Sequence, residues 1–145
     1  MIPVWTERNL WVRDFIPENS SVIDWGCGKK DILRYYTPKE YLGIDIDPNA
    51  DIIADFNQEI PKISGKYDVG LALGVLEYLE DYENFLKNIS DSANVFLVLF
   101  LVDRRKKEEW KNAFTSEFAE EILRKNWKNV KIERDKNYLL GICSN

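Results

Sequence analysis

Two hydrophobic periods alternate along this chain. Compact apolar runs occupy residues 22–25, 41–46, 51–56, 67–73 and 94–102. They read as strands. The runs at 67–73 and 94–102 are apolar almost throughout, as strands buried on both faces of a parallel sheet must be. Helical spacing fills most of the gaps. Residues 6–16 place Trp11, Val12, Phe15 and Ile16 on one face behind a Thr6 cap, and Pro17 stops them. Residues 29–36 bring Ile32, Leu33 and Tyr36 to one side, and residues 80–89 carry Tyr82, Phe85, Leu86 and Ile89 on successive turns. A charged helix is expected over 103–114, with Trp110 and Phe114 inward. Another, capped by Thr115 or Ser116, ends near Asn126. Its acids (Glu117, Glu120, Glu121) come early and its bases (Arg124, Lys125) late, as the helix dipole favours. Residues 130–134 and 138–143 read as two final strands. Their link, Asp135-Lys136-Asn137, suits an antiparallel hairpin.

Alternation of this kind predicts an α/β fold, a mostly parallel sheet with helices on both faces. One link breaks the rule. A parallel crossover takes a dozen or more residues, and 46–51 supplies about half of that. The second crossover is therefore expected to be stunted, or the third strand short and peripheral. Residues 57–66 read as a loop.

Composition narrows the class. A chain of 145 residues, 45% hydrophobic and 31% charged, is expected to form one soluble domain over 1–145. No apolar run reaches membrane-spanning length, and the N-terminus lacks the charged start and apolar core of a signal peptide. Two cysteines, Cys27 and Cys143, make no disulfide framework and no metal-ligand spacing. They read as reduced thiols in a cytoplasmic protein without a metal site. Histidine is absent, which removes the commonest general base. Charge is uneven. Residues 1–103 hold 9 Lys and Arg against 18 Asp and Glu, whereas 104–136 hold 11 against 7. The acidic body argues against nucleic acid. The basic segment is a solvated helix face or a place for an anionic substrate or partner.

Candidate chemistry gathers at the strand ends. Asp24-Trp25-Gly26-Cys27-Gly28 is a strand breaking into a tight glycine turn, and Asp45 follows Gly26 by 19 residues at the end of the second strand. Glycines let a ligand approach the backbone, a helix start offers free N–H groups, and an acid at this spacing grips a ribose diol. Asp55 and Gly74 also sit at strand ends, where ligands bind in open α/β sheets.

Asp-Trp-Gly-Cys-Gly resembles the Asp-x-Gly-x-Gly motif of the class I S-adenosylmethionine-dependent methyltransferases. The likeness runs from about Val22 to Cys143, terminal hairpin included. It implies a three-layer, Rossmann-like sandwich of about seven strands. It also implies that the glycine turn (Asp24, Gly26, Cys27, Gly28) packs against the methionine part of S-adenosylmethionine. Asp45, with Ile46 after it, falls at the ribose, and Asp55 with Phe56 at the adenine. The stretch beginning Leu73-Gly74 covers the cofactor. Trp25 fits either the core or the cofactor, and Cys27 fits packing better than nucleophilic attack. Lys30 stands where the family often has a third glycine. No catalytic base is evident; Glu77, Tyr78 and Asp103, each near a strand end, are the candidates if a hydroxyl is methylated. The amide-methylating Asn/Asp-Pro-Pro-Tyr/Phe and the cytosine-methylating Pro-Cys are absent.

Three functions compete. Methyl transfer to a small molecule leads. A degenerate, non-catalytic binding module serving a partner protein is the alternative. A nicotinamide-dependent oxidoreductase explains Gly26, Gly28 and Asp45 equally well, but Asp31 near the expected third glycine would repel a pyrophosphate. Trp5, Trp11, Trp110 and Trp127 fit core positions, a homodimer face or a substrate wall.

Overall fold

The computed structural model describes residues 4–145, with side chains from Thr6 onward. Among these residues seven strands form one sheet in the order β3-β2-β1-β4-β5-β7-β6. They are β1 (Ser21–Trp25), β2 (Glu40–Asp45), β3 (Ile52–Ile53), β4 (Tyr67–Leu73), β5 (Ala93–Leu101), β6 (Asn129–Asp135) and β7 (Tyr138–Ser144). The first five pair in parallel. β7 then inserts antiparallel between β5 and β6. The hairpin turn is the two-residue Lys136-Asn137, with Lys136 at φ 55°. Asn137 ties this turn to the end of β5, accepting from the Val102 N–H and donating through Nδ2 to the Val102 carbonyl.

Among the described residues three α-helices flank the sheet: α1 (Val4–Arg13), α2 (Tyr82–Ile89) and α3 (Ser116–Asn126). On one face α2 and α3 bury Phe85, Leu86, Ile89, Ile122 and Leu123 against Phe96, Val98 and Phe100 of β5. Both helices are capped by the preceding side chain. Asp81 accepts from the Asn84 N–H, and Thr115 accepts from the Phe118 N–H. On the other face Val12, Ile16 and Ile32 cover Val22, Val69, Leu71, Leu97 and Leu140. That layer is thin, because α1 shares it with one short turn only.

Four expectations need correction. The helix over 29–36 is a single 3₁₀ turn, Asp31–Arg34. Lys30 at its start is left-handed (φ 63°, ψ 37°), which no helix can extend through. The strand read over 51–56 is only Ile52–Ile53, which corrects its bounds and agrees with the short, peripheral strand expected from the short link. α1 begins at Val4, so Thr6 lies inside it rather than capping it, and the Trp5 side chain lies outside the described residues. The largest departure is 103–114, which is not a helix but an irregular strap. Asp103 is left-handed (φ 56°), and Phe114 returns to bridge Val102. The Lys111 and Asn112 N–H groups go to the Glu77 carbonyl, so tertiary partners replace helical ones.

Gly70, in the middle of β4, lies under the Phe96 ring. A Cβ there would come within 2.4 Å of the ring. Gly70→Ala is expected to cost roughly 2–3 kcal/mol through overpacking, read as a lower urea midpoint at unchanged slope.

Candidate functional site

The strand order reverses between β1 and β4, and a crevice opens there beyond their carboxyl ends. At the end of β1 the chain turns at Gly26 (φ 88°), and the Gly26 and Cys27 N–H groups donate to the Ile44 carbonyl at the end of β2. These bonds pin the glycine turn over the sheet edge. A Cβ on Gly26 would meet Val75 Cγ2 at 2.3 Å, so only glycine lets the two loops close up. Gly28 faces open space instead.

Asp45 clamps this turn. Its Oδ2 accepts from the Gly28 N–H at 2.8 Å and its Oδ1 from the Asp47 N–H at 2.9 Å. Each oxygen keeps a lone pair for a ligand hydroxyl. Asp24 is only 3% exposed. Its Oδ2 accepts from the Tyr41 hydroxyl at 2.8 Å, and burial pushes its acid up to about 6. Lys30 donates through Nζ to Asp51 at 2.7 Å and lies over the Tyr41 ring. That pair holds a residue where left-handed backbone would favour glycine. Asp47 accepts from Asn49 within its own turn and is structural.

Three adjoining clefts open here, two of them at this turn. One, of about 150 Å³, runs along Asp24, Gly26, Cys27 and Gly28, with Arg8 of α1 and Leu73. A second, of about 410 Å³, is walled by Ile46, Ala54, Phe56 and Val75 with Asp55 at its side. The third, of about 310 Å³, lies over the end of β5 between Arg8, Glu77, Tyr78 and Trp110. Gly26 lines the first two, Gly74 the last two, and Arg8 the first and third. A larger hollow, about 670 Å³, lies at the other end of the strands beside Tyr35, Tyr36 and Lys39. It holds none of the strand-end carboxylates.

The sequence candidates separate into lining and supporting roles. Asp24, Gly26, Cys27, Gly28, Ile46, Asp55, Phe56, Leu73 and Gly74 all line the first two clefts. Asp45 lines neither cleft but adjoins them, holding the turn through Gly28. Trp25 is 1% exposed, its indole N–H donates to Ser92, and its ring packs on Phe56 and Phe85. Its side chain belongs to the core. Phe56 is half-buried in the same aromatic group, which leaves one side for the cleft. Burial pushes the Cys27 thiol up to about 12, which disables it as a nucleophile. Trp110 and Trp127 are buried, and Trp11 meets Phe15 edge-on.

Glu77 and Tyr78 line the third cleft, whereas Asp103 does not. The Asp103 carboxylate is occupied elsewhere. It accepts from the Ser116 N–H and hydroxyl and faces Arg134, which hold it below the usual range. It anchors the start of α3 and leaves the catalytic candidates. Glu77 is 1% exposed. Its Oε2 accepts from the Leu101 N–H at 3.0 Å, while Oε1 has no partner among the described residues, and burial raises its acid above the ordinary value. Sequence reasoning missed Arg8, whose partners in the site lie far along the chain. It also leaned on a helix dipole after the glycine turn. A four-residue 3₁₀ turn supplies little of that, and Arg8 provides the positive charge instead.

Residues 5–134 match the family model described as a methyltransferase domain. The chain belongs to that family. No curated protein matches the sequence significantly. Among solved structures, a Thermotoga maritima S-adenosylmethionine-dependent methyltransferase superposes with a TM-score of 0.73 at 14% identity, over 94% of this chain and 88% of that one. The complex of a Haloferax volcanii methyltransferase with the Trm112 methyltransferase activator gives 0.70 at 14% identity, over 97% and 88%. A Burkholderia thailandensis 1,6-didemethyltoxoflavin-N1-methyltransferase, solved with its acceptor and S-adenosylhomocysteine, gives 0.69 at 13%, over 98% and 81%. The methyltransferase domain here thus has the class I S-adenosylmethionine-dependent fold, with seven strands and helices on both faces. Among the described residues no helix is long and apolar enough to cross a membrane, and no cluster of metal-ligating side chains occurs.

Proposed function

We propose that this chain transfers a methyl group from S-adenosylmethionine to a small-molecule acceptor. The observation that carries the reading is the pair of clefts meeting at Gly26, because their chemistry matches the two ends of that cofactor. The smaller one offers a carboxylate, Asp24, and a guanidinium, Arg8, to an ammonium and a carboxylate. The larger one offers apolar walls and Asp55 to a purine and its amino group. Asp45 stands beside the turn for the ribose hydroxyls. The bound cofactor supplies a methyl group already activated by its sulfonium, so the protein must chiefly align the acceptor. The third cleft adjoins the first two at Gly74 and Arg8 and is where the acceptor enters. Two buried, free thiols suit a reducing, cytoplasmic setting.

Calorimetry with S-adenosylmethionine, S-adenosylhomocysteine and NAD tests this reading. Micromolar binding of both sulfur ligands is expected, with none of NAD. Asp45→Ala should weaken it about a hundredfold, since it removes the ribose acceptor and releases the Gly28 N–H. No binding by folded protein would leave the second reading, a non-catalytic module that works with a partner protein. Exposed Ile46 and Ile53 beside the shortened β3 edge favour that alternative.

A further inference from the structure

The third cleft is built for more than alignment. Glu77 and Trp110, which line it, each carry a buried polar atom without a partner among the described residues, Glu77 Oε1 and the Trp110 indole N–H. Leaving such groups unpaired is costly, and the few that native structures retain are accounted for by a water, an ion or a functional role. One accepts and one donates, so the missing partner carries both a donor and an acceptor. The mouth of the cleft is cationic. Arg8, Arg104 and Lys107 line it, and among the described residues none of the three forms an ion pair. Lys107 Nζ sits 5.4 Å from the centre of the Trp110 ring. Nearby Glu109 lines the adenine-side cleft instead. A net-positive hollow in a chain of net charge −5 is a selective feature. Tyr78, Trp110 and Tyr138 add aromatic walls.

We infer that this cleft selects an aromatic acceptor bearing a carboxylate or phosphate, with Arg104 and Lys107 holding the anion and Glu77 and Trp110 the polar edge of the ring. This rests on the methyltransferase reading above and names its substrate class. The strap explains how the cations reach the site. Its ends are fixed, by the Val102–Phe114 bridge on one side and on the other by Asn112, whose Nδ2 donates to the Leu76 and Leu79 carbonyls. Between them Arg104 and Lys107 hang over the cleft, while Arg105 and Lys106 do not line it.

The test saturates the protein with S-adenosylhomocysteine and then titrates 4-hydroxybenzoate, phenyl phosphate and neutral 4-hydroxybenzamide by calorimetry. At least one anion is expected to bind about tenfold or more tightly than the amide, and which one does so identifies the group the acceptor carries. Arg104→Gln with Lys107→Gln should erase that preference. Arg105→Gln with Lys106→Gln should leave it within about twofold. Equal affinity for anions and amide, no saturable anion binding below about 10 mM, or equal losses in the two double variants would overturn the inference. Its failure is distinguishable from failure of the cofactor reading. If S-adenosylhomocysteine itself does not bind, both fall; if it binds and no anion is preferred, only the acceptor class falls.

Discussion

Replacing Asp24 by Asn is expected to make the protein more stable and a poorer holder of its cofactor. Burial raises this carboxyl to about 6, whereas an unfolded Asp ionises near 3.9. Folding therefore favours the protonated form. The stability that form contributes is complete below about pH 4 and is lost as pH rises to about 6. Above that, holding the buried carboxylate ionised costs about 3 kcal/mol by linkage. Asn cannot ionise, and its side-chain carbonyl can still accept from the Tyr41 hydroxyl. Urea unfolding should therefore show Asp24→Asn ahead by up to about 3 kcal/mol at pH 8, with the gap closing toward pH 4. If Asp24 pairs with the methionyl ammonium as proposed, calorimetry should show S-adenosylhomocysteine binding weakened roughly 10- to 100-fold. A variant as stable as wild type at pH 8 would mean Asp24 is not desolvated. Unchanged affinity would move the ammonium site elsewhere.

Glu77→Gln carries the second large effect. If Glu77 takes the acceptor's proton, the variant should lose about a hundredfold in kcat while binding S-adenosylhomocysteine as before. The amide oxygen can still accept from the Leu101 N–H, so the fold is kept. The pH profile is the sharper readout. With the acid raised by burial, wild-type activity should climb with pH above the ordinary carboxylate range, and the Gln variant should be flat. Equal kcat in both proteins would reduce Glu77 to a structural clamp on β5 and the strap.

The core of this site was legible in the sequence because its parts repeat a geometric rule. A glycine turn after one strand and an acid at the end of the next must meet when the two strands run parallel and adjacent. Ser21 to Trp25 do pair in register with Glu40 to Ile44. The strap was not legible. Trp110 and Phe114 have helical spacing, and both are buried as that spacing implies. Yet the backbone between Asp103 and Phe114 is fixed by Glu77, Leu76 and Leu79, whose positions no local pattern reveals. The same holds for Arg8. It lines one cleft with Asp24 and another with Glu77, 16 and 69 residues further along the chain, and nothing around it in the sequence marks it. Trp25 misled in the opposite way. Adjacent to the turn in sequence, it points through the sheet, because strand side chains alternate faces.

Edges are the hazard of any open sheet, since unpaired N–H and C=O groups invite other strands and lead to aggregates. The abbreviated crossover before β3 addresses this. A rim of two paired residues, Ile52 and Ile53, offers an incoming strand almost no template. The opposite rim is longer and defended differently, with Lys131, Glu133, Arg134 and Asp135 spaced along β6. What reads as a lost crossover thus also keeps a small sheet from recruiting its neighbours.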